Sequence, residues 1–259
     1  MDLLSALLLG LVQGLTEFLP ISSSGHLVLT QSLLGFEGPN VFFDVMLHLG
    51  TLLAVVIFFR RDIADIFFSV FSSRSRARGW NWIMAIVVGS IPTAVIGLVF
   101  QEQFKALFGQ PRVVAFMLWA TALLLILADR ARVARTSDGR VGPWQALMVG
   151  TAQGLAIIPG ISRSGSTICF GLFSGMDPKV AARFSFLLSI PAIIGASVLE
   201  LRDASIPAGQ HVEYAGGVIM AFLSGYVAIG WLLKLLVQRE LWKFSVYLFI
   251  VGLIGIILT

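Results

Sequence analysis

Of the 259 residues in this chain, 57% are hydrophobic and only 12% are charged, which excludes an ordinary soluble domain, where about a quarter of the residues are charged. The net charge of +4 does not indicate a nucleic-acid partner, because the basic residues cluster in loops rather than on one helical face. A single cysteine, Cys169, excludes an intramolecular disulfide and a cysteine-rich metal site, and we expect it to be inert packing.

Six apolar runs follow one another along the chain, and most approach the roughly 20 residues that a membrane-spanning helix needs. We therefore predict an all-α integral membrane protein with six full transmembrane helices. Three of the runs contain only 15 or 16 residues, so flanking residues must extend them across the bilayer. The runs are residues 41–59, 81–100, 113–128, 184–199, 214–233 and 244–258.

The basic residues are distributed unevenly between alternate connections. Three loops, at residues 60–78, 130–140 and 234–243, hold 12 of the 18 lysines and arginines. The connections between them hold only Lys105, Arg112 and Arg202. Because cytoplasmic loops of membrane proteins are enriched in basic residues, the three basic loops are predicted to lie in the cytoplasm. The longest linker of this topology is expected at residues 60–80.

The chain repeats itself with an offset of 140 residues. Ten of the twenty positions from residue 6 to residue 25 are identical to their counterparts, including Gln-Gly-Leu at 13–15 and 153–155. Each half opens with a broken pair of segments around a Ser-Gly motif and continues with three spans, so the second half enters the membrane from the opposite side. We predict an inverted-topology repeat, with halves 1–135 and 136–259 forming one membrane domain and two re-entrant helical hairpins.

The first Ser-Gly motif, TEFLPISSSGH at residues 16–26, places polar groups inside an apolar chain. Glu17 is costly to bury as an ion unless it has a partner or a task. Gln13 lies four residues earlier, so both side chains share one helical face. A helix is expected to begin near His26, and a hydroxyl-bearing loop before a helix N-terminus can bind phosphate. Ordinary N-capping by serine is the alternative interpretation.

The second motif, IIPGISRSGST at residues 157–167, has an arginine where the first has a serine, and the next helix is expected near Thr167. Arg163 offers a planar fork for bidentate phosphate binding. A structural salt bridge to Glu17 or Asp44 is the competing interpretation. Asp44 and His48 form another i, i+4 pair in an apolar span and are a weaker candidate for lining the same site.

The combination of QGLTEFLPISSSGH at residues 13–26 and PGISRSGST at 159–167 resembles the undecaprenyl-diphosphate phosphatase family, the bacitracin-resistance proteins of bacterial membranes. The resemblance extends over the whole chain in length, span count and motif order. It implies hydrolysis of undecaprenyl diphosphate, a polyprenyl diphosphate lipid, to the monophosphate and phosphate. It also implies a divalent cation, magnesium or calcium, and a site in the cytoplasmic membrane that opens toward the periplasm.

The resemblance also implies a role for each motif position. Glu17 would be the essential acid and a metal ligand, and Ser23 the nucleophile or a phosphate ligand. His26 would transfer protons, and Arg163 would clamp phosphate. Many members carry glutamate where this chain has Gln13, which puts in doubt a mechanism with two carboxylates from the first hairpin. The substrate-binding candidates are Gln13, Ser22, Ser24, Gly25, Ser162, Ser164, Gly165 and Thr167.

Several alternatives stay open at this level. Either Ser23 attacks phosphorus, with His26 or Glu17 as base, or water attacks and Ser23 only holds phosphate oxygens. A secondary transporter or flippase for a prenyl phosphate lipid is the alternative function, because inverted repeats and broken helices also describe that class. A vanadate-sensitive lipid phosphatase is disfavoured. That class needs a Ser-Arg motif followed by a histidine and an aspartate, and the only histidine after Arg163 is His211, in a polar loop. A homodimer is compatible with the sequence.

Overall fold

Twelve α-helices and no strands make up the part of the chain described by the computed structural model, which comprises residues 1–36, 40–131, 139–200, 206, 209–237 and 240–258. The prediction of an all-α protein is confirmed. In chain order the helices are α1 (Leu3–Phe18), α2 (Ser23–Leu33), α3 (Val41–Phe58), α4 (Arg60–Phe71), α5 (Arg76–Val99), α6 (Gln101–Phe108), α7 (Pro111–Arg130), α8 (Pro143–Leu155), α9 (Arg163–Phe173), α10 (Pro178–Glu200), α11 (His211–Val237) and α12 (Leu241–Leu258).

The helices that are long and apolar enough to cross a membrane coincide with the predicted runs. Five of them, α5, α7, α10, α11 and α12, meet this criterion singly. The apolar helix α3 meets it only when it is counted with α4, from which it is bent by 63°. The three short runs gain flanking residues, which bring α7 to 20, α10 to 23 and α12 to 18 residues. The chain is therefore a multi-pass membrane protein.

The prediction of a long linker at residues 60–80 is wrong. Most of this stretch is helical, since α4 begins directly after Phe59 and α5 begins at Arg76. None of the described side chains of α4 is buried, and both Phe67 and Phe68 are exposed. Apolar and charged residues alternate here with a helical period, which is typical of a helix lying along a membrane surface and is too polar to count as a span. Of the basic-loop residues, Arg132, Arg135 and Arg239 lie outside the described residues, as does Arg202 of the other connections.

Two helix–turn–helix pairs, α1–α2 and α8–α9, open the two predicted halves. The first helix of each pair packs against a span from the other half: α1 against α11, and α8 against α5. In both contacts the two helix backbones approach each other closely at glycines, with Gly10 facing Gly217 and Gly150 facing Gly89. This reciprocal packing supports a relation between the two halves, and their inverted orientation stays a prediction. The boundary at residues 135 and 136 lies outside the described residues, so the division into 1–135 and 136–259 stays a prediction.

The turn of the second pair is held by a threonine from another helix. Thr121 of α7 donates a hydrogen bond from Oγ1 to the carbonyl oxygen of Gly160 (3.0 Å) and accepts one from the N–H of Ser162 (3.0 Å). Gly160 has φ 93°, a region that favours glycine. A Cβ at this position would also lie 2.3 Å from the carbonyl oxygen of Val114. Irregular backbone inside a membrane protein needs such internal partners, because lipid supplies none.

The close contact between α5 and α8 gives a test of this packing. We expect Gly150→Ala to destabilise the fold, because its Cβ would lie 2.0 Å from the carbonyl oxygen of Gly89, a backbone atom. Overpacking of this kind costs about 1–3 kcal/mol or more. The matched control is Gly195→Ala in α10, where no described atom lies within 4 Å of the added Cβ. Thermal unfolding in detergent should show a lower midpoint for Gly150→Ala alone, and equal midpoints would contradict the packing described.

Candidate active site

The two Ser-Gly motifs form the first turns of helices rather than loops before them. The expected starts near His26 and Thr167 are wrong by three and four residues, since α2 begins at Ser23 and α9 at Arg163. Ser22 and Ser162 are the N-caps, and their Oγ atoms accept hydrogen bonds from the N–H groups of Gly25 (3.3 Å) and Gly165 (3.0 Å). A capping serine lets the helix begin at the next residue, so the capping interpretation holds for these two serines.

The tips of the two helix pairs contact each other. Ser164 donates a hydrogen bond from Oγ to the carbonyl oxygen of Leu19 in the first turn (2.9 Å). A Cβ on Gly25 would lie 3.2 Å from Gly160 Cα, and one on Gly165 would lie 3.3 Å from Pro20 Cβ. The absence of side chains at both glycines therefore allows the close approach. As a result, the N-termini of α2 and α9 lie near each other, and the positive ends of two helix dipoles share one region.

Glu17 is the centre of a buried cluster between the two tips. Its side chain is only 4% exposed, and Arg163 Nη2 donates a very short hydrogen bond to its Oε1. Ser23 Oγ and Gln13 Nε2 both donate to Oε2, at 2.5 and 3.0 Å. The acid of the first motif and the arginine of the second thus occupy one site. This contact is also the structural salt bridge that was the competing interpretation of Arg163. The same contact therefore fits both a structural role and a phosphate-binding role.

Two polar atoms in this cluster have no hydrogen-bond partner in the described part of the chain. They are Arg163 Nη1, a donor, and Gln13 Oε1, an acceptor, and both are buried. Buried polar groups are normally paired, so each unpaired atom requires an explanation. A free guanidinium N–H suits an anion, and a free amide oxygen suits a cation or another donor. Both atoms therefore indicate a place for a charged ligand.

His48 of α3 lies closer to the site than the sequence indicated. Its Nε2 is 3.5 Å from Glu17 Oε2, and its side chain is 28% exposed. Its Nδ1 is 2.7 Å from the carbonyl oxygen of Asp44. The carboxylate of Asp44 is engaged elsewhere, accepting from Gln31 Nε2 at 2.6 Å. The proposed alternative pairing of Arg163 with Asp44 is therefore wrong, and His48 marks the more open side of the cluster.

His26 bonds to a residue that the sequence analysis missed. Its Nδ1 lies 2.8 Å from the carbonyl oxygen of Ser22, and its Nε2 lies 2.8 Å from the hydroxyl of Tyr247 in α12. Both ring nitrogens therefore have partners other than Ser23 and Glu17. Tyr247 carries no sequence signal, because it is a single aromatic residue in an apolar span, 221 positions from His26.

The remaining candidates make hydrogen bonds within the protein. Ser24 Oγ contacts Ser22 Oγ at 3.3 Å, and Ser164 Oγ also contacts Ser162 Oγ at 3.2 Å. Thr167 donates to backbone oxygens of its own helix and lies 2.5 Å from Ser185 Oγ. These bonds favour a structural contribution from Thr167, and its role in substrate binding stays a prediction.

The second helix pair has no acid at the equivalent place. The counterpart of Glu17 is Ile157, and the counterpart of Gln13 is Gln153. Gln153 Nε2 donates to Thr93 Oγ1 (3.3 Å) and to the carbonyl oxygen of Leu188 (3.4 Å) instead of to a carboxylate. The second pair therefore contributes Arg163 and a helix N-terminus, and the acid comes from the first pair.

These features define a multi-pass α-helical membrane protein with an acid–arginine site at the junction of two broken helix pairs. The family model described as "Bacitracin resistance protein BacA" matches residues 6–254, and the chain belongs to this family. A protein of Halothermothrix orenii named undecaprenyl-diphosphatase is 46% identical over 100% of this chain and 99% of its own length. Proteins with the same name from Syntrophotalea carbinolica (97% of each chain) and Methanobrevibacter smithii (98% of this chain, 96% of its own) are 44% and 40% identical.

Proposed function

We propose that this chain hydrolyses undecaprenyl diphosphate to undecaprenyl phosphate and inorganic phosphate, which recycles the lipid carrier of cell-wall synthesis and confers bacitracin resistance. Family membership and the name shared by its relatives support this activity. The observation that carries it in the structure is the contact of Glu17 with both Ser23 and Arg163 across two helix tips. A nucleophile, a base and a phosphate-binding cation thus meet in one buried place.

Arg163 binds the terminal phosphate in the proposed mechanism. Its Nη2 is engaged by Glu17, whereas Nη1 is free to donate to a phosphate oxygen. Phosphoryl transfer spreads negative charge over the oxygens of the transferred group, and fixed donors that neutralise this charge supply much of the rate enhancement. The N-termini of α2 and α9 add positive potential at the same place.

Ser23 is the nucleophile in the proposed first step, and Glu17 is its base. The Ser23 hydroxyl donates to Glu17 Oε2 at 2.5 Å, so the proton has an acceptor in line. Ser23 Oγ forms a bond to the terminal phosphorus, its proton passes to Glu17, and the bond to the lipid phosphate breaks with the electron pair leaving on that oxygen. Water then hydrolyses the phosphoserine. If water attacks directly, acid-quenched enzyme carries no phosphate on Ser23.

A divalent cation, magnesium or calcium, belongs to this proposal as an ion shared with the substrate. The described residues contain no group of three or more His, Cys, Asp or Glu side chains that could hold a metal alone. The unpaired oxygen Gln13 Oε1 lies beside the Glu17 carboxylate. Magnesium is commonly held by one or two protein oxygens together with substrate phosphates. Gln13 and Glu17 would hold it here, and it would neutralise charge on the diphosphate.

The proposed location is the cytoplasmic membrane, with the site open toward the periplasm. The enrichment of cytoplasmic loops in basic residues predicts that the α3–α4 junction faces the cytoplasm, so α3 would begin on the opposite side. His48 is seven residues into α3 and is the more exposed member of the cluster, which supports access from that side. Both helix tips belong to one chain, so the mechanism does not need a homodimer.

The direct test is phosphate release from undecaprenyl diphosphate by purified protein in detergent. Detergent micelles have no two compartments, so release of phosphate separates hydrolysis from transport of a prenyl phosphate. We expect turnover that stops when EDTA removes divalent cations and returns when magnesium or calcium is added in excess. Lipid binding without phosphate release would contradict hydrolysis, and full activity in EDTA would contradict the proposed metal.

A further inference from the structure

We propose that Tyr247 is a positioning residue for His26: its hydroxyl fixes the tautomer of the neutral imidazole and holds the ring in one orientation throughout the reaction. The role rests on the proposed hydrolysis and on the proton transfer that the family resemblance implies for His26. Tyr247 belongs to neither Ser-Gly motif and lies in α12, the last helix of the chain. The two residues meet because of the fold alone.

The hydrogen bonds of His26 fix its tautomer. A backbone carbonyl oxygen can only accept, so the nitrogen facing the Ser22 oxygen, Nδ1, carries a proton. In the neutral ring the other nitrogen, Nε2, then has the lone pair and accepts from the Tyr247 hydroxyl. The exchangeable position of His26 is therefore Nε2, and Tyr247 is the group that contacts it.

The packing of α12 places Tyr247 at this position. Gly255 of α12 faces Leu29 of α2, where an added Cβ would lie 3.2 Å from Leu29 Cδ2. On the same face of α12, where an added Cβ on Gly252 would lie 2.5 Å from Trp119 Nε1, the indole N–H of Trp119 in α7 donates to the carbonyl oxygen of Phe249 (3.1 Å). These contacts fix the register of α12 against α2 and α7. The Tyr247 ring then stacks on the His26 ring, with an interplanar angle of 4° and centroids 5.6 Å apart.

A hydroxyl suits a histidine that changes its protonation state. The Tyr247 O–H donates to Nε2 of the neutral ring, and after a hydroxyl rotation the same oxygen accepts from Nε2–H of the protonated ring. His26 is buried, at 8% exposure, so water does not readily replace this partner. A phenylalanine would keep the stacked ring but would leave Nε2 unpaired in both states. An unpaired buried nitrogen is costly, most of all when it is charged.

The test is Tyr247→Phe in the phosphate-release assay, with separate determination of kcat and KM. We expect kcat to fall about 10- to 100-fold, the usual effect of losing a hydrogen bond to a charged group, with little change in KM because Tyr247 does not touch the phosphate site. The matched control is Tyr226→Phe on α11, whose ring is 39% exposed, against 41% for Tyr247, and packs against Phe58. This control should keep wild-type kcat and KM.

A double-mutant cycle with His26→Gln separates positioning from general packing. If Tyr247 acts through His26, the Tyr247→Phe change has no further effect on kcat in the His26→Gln background. Additive losses, a kcat of Tyr247→Phe within the error of wild type, or a His26→Gln enzyme with full activity would each overturn the role of Tyr247 while leaving hydrolysis intact. Wild-type protein that releases no phosphate would overturn the proposed function and this role with it. Thermal unfolding of each variant checks that the fold is retained.

Discussion

Arg163→Ala is expected to lower kcat/KM for phosphate release by about 10³-fold or more, which is the usual range for removing an arginine that stabilises a phosphoryl-transfer transition state. In the structure the Arg163 guanidinium bonds Glu17 through Nη2 and leaves Nη1 for the phosphate. The variant therefore loses both the cation that binds the substrate and the partner that orients the base. KM should rise as well as kcat fall, because Arg163 contacts the phosphate in the ground state and in the transition state.

Loss of folding has to be separated from loss of binding in this variant. Removing one partner of a buried ion pair leaves an uncompensated charge, which costs about 3–5 kcal/mol of stability. Arg163→Lys keeps the charge but not the planar fork, so we expect it to recover stability more fully than activity. Lys105→Ala is the control, since Lys105 is exposed and pairs with Glu200 at 2.8 Å outside the site. Near-normal turnover in folded Arg163→Ala would remove Arg163 from the mechanism.

The main features of the fold and of the site could be read from the sequence because each has a local cause. Spans follow from apolar composition, and the repeat shows in identities at a fixed offset. The meeting of Glu17 and Arg163 follows from the predicted inversion of that repeat, since oppositely oriented helix pairs bring their turns together. Inside an apolar helix bundle, few other polar groups are available to pair with the polar side chains at these turns. The sequence therefore constrains the central contact strongly.

Contacts that depend on helix register could not be read in the same way. Tyr247 and Thr121 each sit on a span whose rotation is set by packing against other spans, and neither position differs from its neighbours in composition. The sequence predicts the helix starts too late, because a capping serine and a loop serine look the same in a sequence. It predicts a linker at residues 60–80, because a surface helix such as α4 is too polar to count as a span. In each case the decisive interaction is tertiary.

The two helix pairs share one sequence motif but contribute different reactive groups to the site. Both tips provide a capped helix N-terminus with Ser, x, Ser, Gly in the same positions. Only the first provides an acid, and only the second provides an arginine. A symmetric pair of acids would repel each other, and a symmetric pair of arginines would offer no base. One of each gives a neutral pair in the substrate-free protein, which lowers the cost of burying both charges.

Removal of the Glu17 carboxylate, the ion-pair partner of Arg163, gives the second large expected effect. Glu17→Gln should lower kcat by about 10²- to 10⁴-fold, the range that general acid–base groups contribute, because the amide cannot take the proton that Ser23 now donates to Oε2. Substrate affinity measured in EDTA should stay the same or increase, since Arg163 no longer shares its charge with a carboxylate, whereas the gain in affinity on adding magnesium should be smaller than in the wild type.

Equilibrium binding and single-turnover kinetics together distinguish the effect of Glu17→Gln on catalysis from the effect of Arg163→Ala on substrate binding. Glu17→Gln should bind substrate without turning it over, whereas Arg163→Ala should bind it poorly. Glu102→Gln, an exposed acid on α6, is the matched control and should behave as wild type. A Glu17→Gln protein that folds, loses affinity and keeps its kcat would mean that the carboxylate only holds the substrate, and the base would then have to be sought among the other groups at the two helix tips.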